Sequence, residues 1–191
     1  MNLINYARLM ARYNRWMNEK LYEICAGFSD EERKRDLKSP FKSVHGTMNH
    51  LFMTDRVWLG RFTSTPFAAK SLDQELYSDF DELRRERQKT DSEIEAWAAT
   101  LTESSFDGTL HFTPMSRPQE MIIPMGITIV HFFNHQTHHR GQLTTLIEQL
   151  GGDCGVTDLP MMPEASEAVR TERCAFGCRV ISRGLAYYAP P

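Results

Sequence analysis

The stretch MGITIVHFFNHQTHHRGQLTTLIEQL, residues 125–150, predicts one long helix that ends at the glycine pair 151–152. It carries four of the seven histidines of the chain: His131, His135, His138 and His139. At about 100° per residue, all four fall within about 60° of His135. Leu143 and Leu146 fall on the same side, which we therefore expect to face the core. Arg140, at about 140° from His135, is expected to point away from the core.

Histidines clustered on an inward helix face favour a metal site. Protonated imidazoles would repel one another there, whereas a divalent cation takes neutral imidazole nitrogens as ligands. Residues spaced i, i+4 stand one turn apart, so His131/His135 and His135/His139 are both candidate pairs, with the second favoured. For His131 and His138 an ordinary hydrogen-bonded role is an equal alternative.

A third ligand has to come from another helix, because a catalytic metal site commonly uses three protein ligands and one open position. The second helix offers His45 and His50, and their spacing leaves both open. Asp55 lies within the apolar stripe of that helix. It is predicted either to orient a ligand imidazole or to pair with an arginine. We name His138 and Asp55 as candidate catalytic residues that would carry a proton.

Three further amphipathic segments precede the histidine helix. The first spans about 2–28, the second runs from near Pro40 to Phe62, and the third runs from a Ser71 cap to Glu103. Leu72 and Leu76 are assigned to the buried side of the third. Its polar middle, 84–91, predicts a bend or a partly exposed stretch. The charged run 29–39 predicts a solvated connection or a short polar helix.

These segments predict an all-α fold, a four-helix bundle. Residues 108–125 predict a small hairpin or loop insertion before the last helix. We expect one domain over 1–163 and an irregular C-terminal extension over 164–191.

Composition narrows the class of protein. The chain has 191 residues and a formal net charge of −3, so no basic excess points to nucleic acid or an anionic membrane. No apolar run approaches the roughly 18 residues of a membrane span, and the N-terminus lacks a signal-peptide pattern. The expected location is therefore the cytoplasm. Cys174 and Cys178 are spaced i, i+4 rather than as C-x-x-C, and we interpret the four cysteines as incidental.

Two segments in combination resemble the DinB-like family of the DinB/YfiT superfamily. They are SVHGTMNHLFMTDRVWL at 43–59 and HFFNHQTHHRGQLTTLIEQLG at 131–151. ARYNRWMNEKLYE at 11–23 and DLPMMPEA at 158–165 are also similar to that family. These damage-inducible bacterial proteins are unrelated to the DNA polymerase that shares the name. The resemblance covers about 3–163 and leaves the tail unmatched.

The resemblance implies a four-helix bundle with one metal ion held by three histidines. One comes from the second helix and two come from an H-x-x-x-H spacing on the last. Carried onto this sequence, the metal ligands are His50, His135 and His139. Zinc or nickel is the implied ion, a homodimer is the implied assembly, and related members act with a low-molecular-weight thiol.

The function expected from the residues and the resemblance is a metal-dependent enzyme on a small-molecule substrate, a transferase or hydrolase. A thiol-dependent S-transferase in stress or detoxification is the favoured form. The alternative is a non-catalytic, stress-induced metal-binding or structural protein. A DNA-binding role is disfavoured because the chain is acidic overall.

Overall fold

The structure, a computed structural model, describes residues 1–115 and 117–163. It contains helices α1 (Leu3–Ala26), α2 (Asp30–Lys34), α3 (Val44–Phe62), α4 (Phe80–Thr100) and α5 (Met125–Gln149), with strands β1 (Thr109–Phe112) and β2 (Met121–Pro124). In the described part of the chain, α1 and α3 each pack against both α4 and α5. The predicted helical bundle with a hairpin before its last helix is confirmed.

Polar side chains fix where three of the long helices begin. Asn2 accepts a hydrogen bond from the backbone N–H of Asn5 at the start of α1. Ser43 does the same at α3, and Asp79 at α4. These are N-cap residues, which satisfy backbone donors that have no partner within the helix. The charged run forms α2, and Ser29 with Glu32 closes a capping box at its start.

The third long helix begins at Phe80, so the prediction of a Ser71 cap is wrong. The cause is the Asn49 side chain on α3, whose Oδ1 accepts from the backbone N–H groups of Leu76 and Tyr77 at 2.9 and 3.0 Å. Those donors are therefore not available to a helix. Leu72 is 41% exposed and Leu76 is half-buried, so neither belongs to the core as predicted. The second helix likewise begins at Val44, after Pro40.

The buried face of α5 differs from the predicted one. It is centred near Gln136 and Leu143, about 90° from His135. Arg140 is 3% exposed and donates a hydrogen bond to Oδ1 of Asn14, so the prediction that it points away is wrong. His131 and His138 are exposed, and only part of the histidine cluster faces inward.

The polar middle of the third segment is continuous helix without a bend, and it is partly exposed, the second of the two predicted alternatives. Its other face buries charge. Nη1 of Arg87 lies 2.7 Å from Oδ2 of Asp55, and Nη2 lies 2.9 Å from Oδ1 of Asp91. Asn14 and Asn18 on α1 donate to Asp91 at 3.1 and 2.9 Å. We call this group the buried charge network: Asn14, Asn18, Asp55, Arg87, Asp91, Gln136 and Arg140.

The hairpin pairs β1 and β2 in antiparallel register, from Thr109 opposite Pro124 to Phe112 opposite Met121. The Phe112 ring meets the Trp58 ring of α3 edge to face, with centroids 5.2 Å apart. The hairpin thus contacts the C-terminal half of α3 through this ring pair and also packs on α5.

Residues Met1–Gly155 form one compact unit. The chain from Val156 onward belongs to a second unit, whose described residues include a 3-10 turn at Leu159–Met161. Cys25 and Cys154 are buried free thiols. The tail 164–191, with Cys174 and Cys178, lies outside the described residues. None of the described helices combines the length and the hydropathy needed to cross a membrane.

Two helical glycines should respond oppositely to alanine. A Cβ on Gly46 would lie 2.1 Å from the carbonyl oxygen of Phe41, whereas nothing lies within 4 Å of a Cβ on Gly141. We expect Gly46→Ala to lower the free energy of unfolding by about 1–3 kcal/mol, because backbone must move. Gly141→Ala should raise it by up to about 1 kcal/mol. Urea denaturation measures both, and shifts of the same sign would contradict the expectation.

Candidate metal centre

Three imidazoles converge between α3 and α5. Nε2 of His139 lies 3.2 Å from Nε2 of His50 and 3.1 Å from Nε2 of His135. The three donor atoms all lie within 4.8 Å of one another. Nitrogens that share one zinc at about 2.0–2.1 Å in tetrahedral geometry are about 3.3 Å apart. The two distances at His139 match this spacing, and the 4.8 Å limit places the third nitrogen near enough for all three to share one divalent ion.

The outer nitrogens of two rings fix their tautomers. Nδ1 of His50 lies 2.7 Å from the carbonyl oxygen of Leu72, and Nδ1 of His139 lies 2.8 Å from Oε1 of Gln142. Both oxygens only accept hydrogen bonds, so both Nδ1 atoms carry the proton in the neutral rings. The two Nε2 atoms then face each other with lone pairs and no hydrogen between them. A cation at this point removes that repulsion, so the donor set fits a metal.

Burial keeps these imidazoles neutral. It lowers the pKa of His50 to about 4 and that of His135 to about 3, and the neighbouring imidazoles lower the pKa of His135 further. The pKa of His139 is also lowered, mainly by burial. A protonated ring bridging two neutral ones is therefore disfavoured near neutral pH, and neutral imidazole is the form that ligates a metal.

The residues around the cluster hold two of its rings. The Phe41 ring stacks on His50 with centroids 3.7 Å apart and planes 14° apart, and its edge meets His139 at 5.5 Å. The Phe41 backbone lies so close to Gly46 that a Cβ there would be 2.1 Å from the Phe41 carbonyl oxygen. Within ranges 1–115 and 117–163, the buried Nδ1 of His135 has no hydrogen-bond partner. His135 is thus the least constrained of the three rings.

The structure separates the other histidines from this cluster. His45 is fully buried on α3, and its Nε2 lies 2.8 Å from the carbonyl oxygen of Tyr77, where it supports the chain before α4. The His131 ring packs edge to face on Trp58 at 5.4 Å. His138 is exposed, and its ring lies 4.8 Å from that of His139.

Asp55 pairs with an arginine, one of the two predicted alternatives. Its Oδ2 accepts from Arg87 and its Oδ1 accepts from Nε2 of Gln136 at 3.0 Å. Burial raises the pKa of this carboxyl, and the neighbouring Arg87 opposes that rise. The bond to Gln136 joins α3 to α5, the two helices that carry the histidine cluster.

Sequence reasoning missed the groups that position the imidazoles. Of these groups, Gln142 is the easiest to recognise from the sequence, because it stands one helical turn after His139. The Leu72 carbonyl is a backbone group and leaves no signal in the sequence. Phe41 lies before the helix, in a segment that we had assigned to its first turn.

A cavity of about 210 Å³ adjoins the cluster, between α3, α5 and the hairpin. His135 and His131 form one wall, and Trp58, Arg61 and Phe112 form another. The cavity and the histidine cluster share His135, so a small molecule in the cavity would lie next to a bound ion.

Replacing Gln142 should weaken metal binding without removing a ligand. Gln142→Ala removes the acceptor that fixes the His139 ring, and loss of such a partner costs about 10- to 100-fold in affinity. Gln149→Ala is the matched control, because Gln149 is exposed near the end of α5. Competition with a chromophoric chelator measures the zinc affinity. Equal affinities for the two variants would contradict this role.

Comparisons with known proteins agree with this architecture. The model of a family described as the DinB family matches residues 1–173. Protein DinB of Bacillus subtilis strain 168 is 23% identical over 162 residues, which cover 81% of this chain and 91% of that protein. A crystal structure of a DinB-like protein from Bacillus cereus ATCC 10987 aligns with a TM-score of 0.55 at 20% identity. That alignment covers 74% of this chain and 90% of the other, and it concerns the fold alone.

Proposed function

The chain belongs to the DinB family, and from this premise we propose that it is a divalent-metal-dependent enzyme acting on a small molecule, a thiol-dependent S-transferase. One observation carries the proposal: three imidazoles from two helices bring one nitrogen each within 4.8 Å of one another, close enough to share an ion. Of the residues described, the donor group comprises only His50, His135 and His139. Three protein ligands are typical of catalytic sites, whereas structural zinc sites are closed by four.

The three histidines would hold the ion next to the cavity that His135 lines, where a small molecule could reach it. The ion, when bound, supplies a lowered pKa for a thiol or water that takes this position. Imidazole ligands suit both zinc and nickel, so either ion is compatible with the proposal.

The surrounding residues would serve the transfer of a group to the thiol. A bond from sulfur to carbon forms as the bond from carbon to the leaving group breaks, and the thiol proton must go to a base. His138 is proposed for that role because it is exposed beside His139. Asp55, enclosed by Arg87 and Gln136, is proposed to position α3 against α5. A homodimer is proposed from family membership alone.

A second candidate function is non-catalytic metal binding. The observation that favours it is the position of the cluster, because an ion held there would cross-link α3 to α5. A ligand that binds only the folded state stabilises it. In that case a chelator should lower the melting temperature strongly, and no substrate should turn over.

The deciding experiment assays the purified protein after elemental analysis. Zinc- or nickel-loaded protein is given a low-molecular-weight thiol and an aryl chloride, and chloride release is followed. We expect turnover that is lost on chelation and in His135→Ala, but kept in His111→Ala, whose histidine is exposed on the hairpin. Turnover that survives chelation or His135→Ala would reject the proposal. A melting shift without turnover would favour the second candidate.

A further inference from the structure

Arg61 lies in the wall of the cavity that adjoins the histidine cluster. Its guanidinium carbon is 4.5 Å from the centroid of the Trp58 ring and 4.2 Å from that of Phe112. Two aromatic rings thus hold the guanidinium by cation–π contact. The planar group keeps its N–H donors at its edge, which stacking on a ring does not use.

The Arg61 side chain has no carboxylate partner among the described residues, unlike two other arginines of α3 and α4. Arg56 pairs with Glu93, and Arg84 pairs with Glu23. Within residues 1–115 and 117–163, the guanidinium of Arg61 has neither an ion pair nor a hydrogen bond. Burial lowers its pKa, and no neighbouring carboxylate is among the causes. A half-buried cation without a counter-ion is costly, and an arriving anion relieves that cost.

The rest of the cavity is mainly apolar. Val57, Pro114 and Met115 line it together with the two aromatic rings. An arginine fork matches carboxylate and phosphate geometry. A cavity of about 210 Å³ with apolar walls favours a singly charged group on a small apolar body, because a dianion loses more solvation on burial.

We infer that Arg61 binds the carboxylate of a small apolar acid in this cavity, with the reactive end of the acid directed at the histidine cluster. The inference rests on the proposed function and names its substrate class. Arg61 would act as a specificity residue that touches the substrate. The carboxylate belongs either to the electrophile or to the thiol, since both can carry one, and two sets of probes separate these sources.

The first set compares phenylacetate with phenylacetamide, which have nearly the same shape and differ in charge. Calorimetric titration of zinc-loaded protein should show phenylacetate bound at least about tenfold more tightly. Arg61→Gln should abolish that preference, and Arg61→Lys should retain part of it. Arg56→Gln is the matched control on the same helix and should keep it fully. Metal content and helical circular dichroism establish that each variant is folded.

No preference for phenylacetate in the wild-type protein would overturn the inference. A preference kept unchanged in Arg61→Gln would also overturn it, because the carboxylate would then be bound to the metal or elsewhere. This result is read without any thiol or turnover, so it stands apart from the proposed function.

The second set uses cobalt-substituted protein, in which thiol binding appears as sulfur-to-cobalt charge-transfer absorption. Mercaptoacetate, mercaptopropionate and mercaptobutyrate are compared with mercaptoethanol, so that chain length scans the distance to Arg61. A preference for one mercapto acid that disappears in Arg61→Gln assigns the carboxylate to the thiol. Equal binding of all four, with phenylacetate still dependent on Arg61, assigns it to the electrophile. Absence of any thiol band would reject the thiol-dependent function, and the phenylacetate titration would still decide the role of Arg61.

Discussion

Arg87→Met should lower the free energy of unfolding by about 3–5 kcal/mol. Arg87 is 2% exposed, and its guanidinium lies 2.7 Å from Asp55 and 2.9 Å from Asp91. Both carboxylates are equally enclosed, at 1% exposure. Removal of the cation leaves them buried without their counter-charge, and this penalty exceeds the gain from an apolar side chain.

Arg84→Met provides the matched control on the same helix. Arg84 pairs with Glu23, but the two side chains are 30% and 73% exposed. A pair in that setting contributes little, so the control should stay within about 1 kcal/mol of the wild-type protein. Urea unfolding at neutral pH, followed by circular dichroism, measures both variants. Equal losses would mean that the buried charge network does not depend on Arg87.

The loss in Arg87→Met should also depend on pH. Burial already raises the pKa of Asp91 to about 6 and raises that of Asp55, whereas an unfolded Asp titrates near about 3.9. Without Arg87 both pKa values should rise further. A pKa that is higher in the folded state gives stability at low pH that is lost as pH rises through it. The loss of unfolding free energy caused by Arg87→Met should therefore be smaller at pH 5 than at pH 7. Identical losses at the two pH values would contradict this reasoning.

His139→Ala should weaken zinc binding by more than about a hundredfold, since loss of a mere orienting partner costs about 10- to 100-fold. His139 is the central ligand, because its Nε2 lies within 3.2 Å of His50 and 3.1 Å of His135. The remaining two donors are on different helices and do not make a firm site. Chelator competition on metal-free protein gives the affinity.

His138→Ala is the matched control for His139, one residue away on the same helix. His138 is exposed and is not among the three converging donors, so its removal should leave zinc affinity within a few-fold of the wild-type value. Circular dichroism of both metal-free variants establishes that each retains the bundle. Loss of zinc binding in His138→Ala alone would place the ion elsewhere.

The periodicity of the sequence predicted elements better than it predicted which polar residues are buried. The bounds of α5 and the hairpin follow from local pattern. The i, i+4 spacing gave two candidate pairs, His131/His135 and His135/His139, of which the second was favoured. The choice of His50 over His45 came from the family resemblance. The spacing of these two residues does not reveal that Nε2 of His45 is hydrogen-bonded to the carbonyl oxygen of Tyr77.

Arg87 and Arg140 illustrate why the burial of polar residues could not be predicted from the sequence. Helical periodicity assigns polar residues to solvent, and a charged residue is buried only when partners arrive from other elements. Two of those partners, Asn14 and Asp55, are on α1 and α3, far away in the chain. The start of α4 was mispredicted for the same reason, because it also depends on a distant partner. The Asn49 side chain accepts hydrogen bonds from the backbone N–H groups of Leu76 and Tyr77.

The buried charge network constrains how this core can diverge between related chains. A single replacement at Asp55, Arg87 or Asp91 strands a charge inside the protein, whereas a simultaneous exchange of the group for apolar residues does not. Amino-acid replacement at these positions during evolution therefore requires simultaneous changes in different helices. The solvent side of α4, whose charges are exposed, can vary one residue at a time.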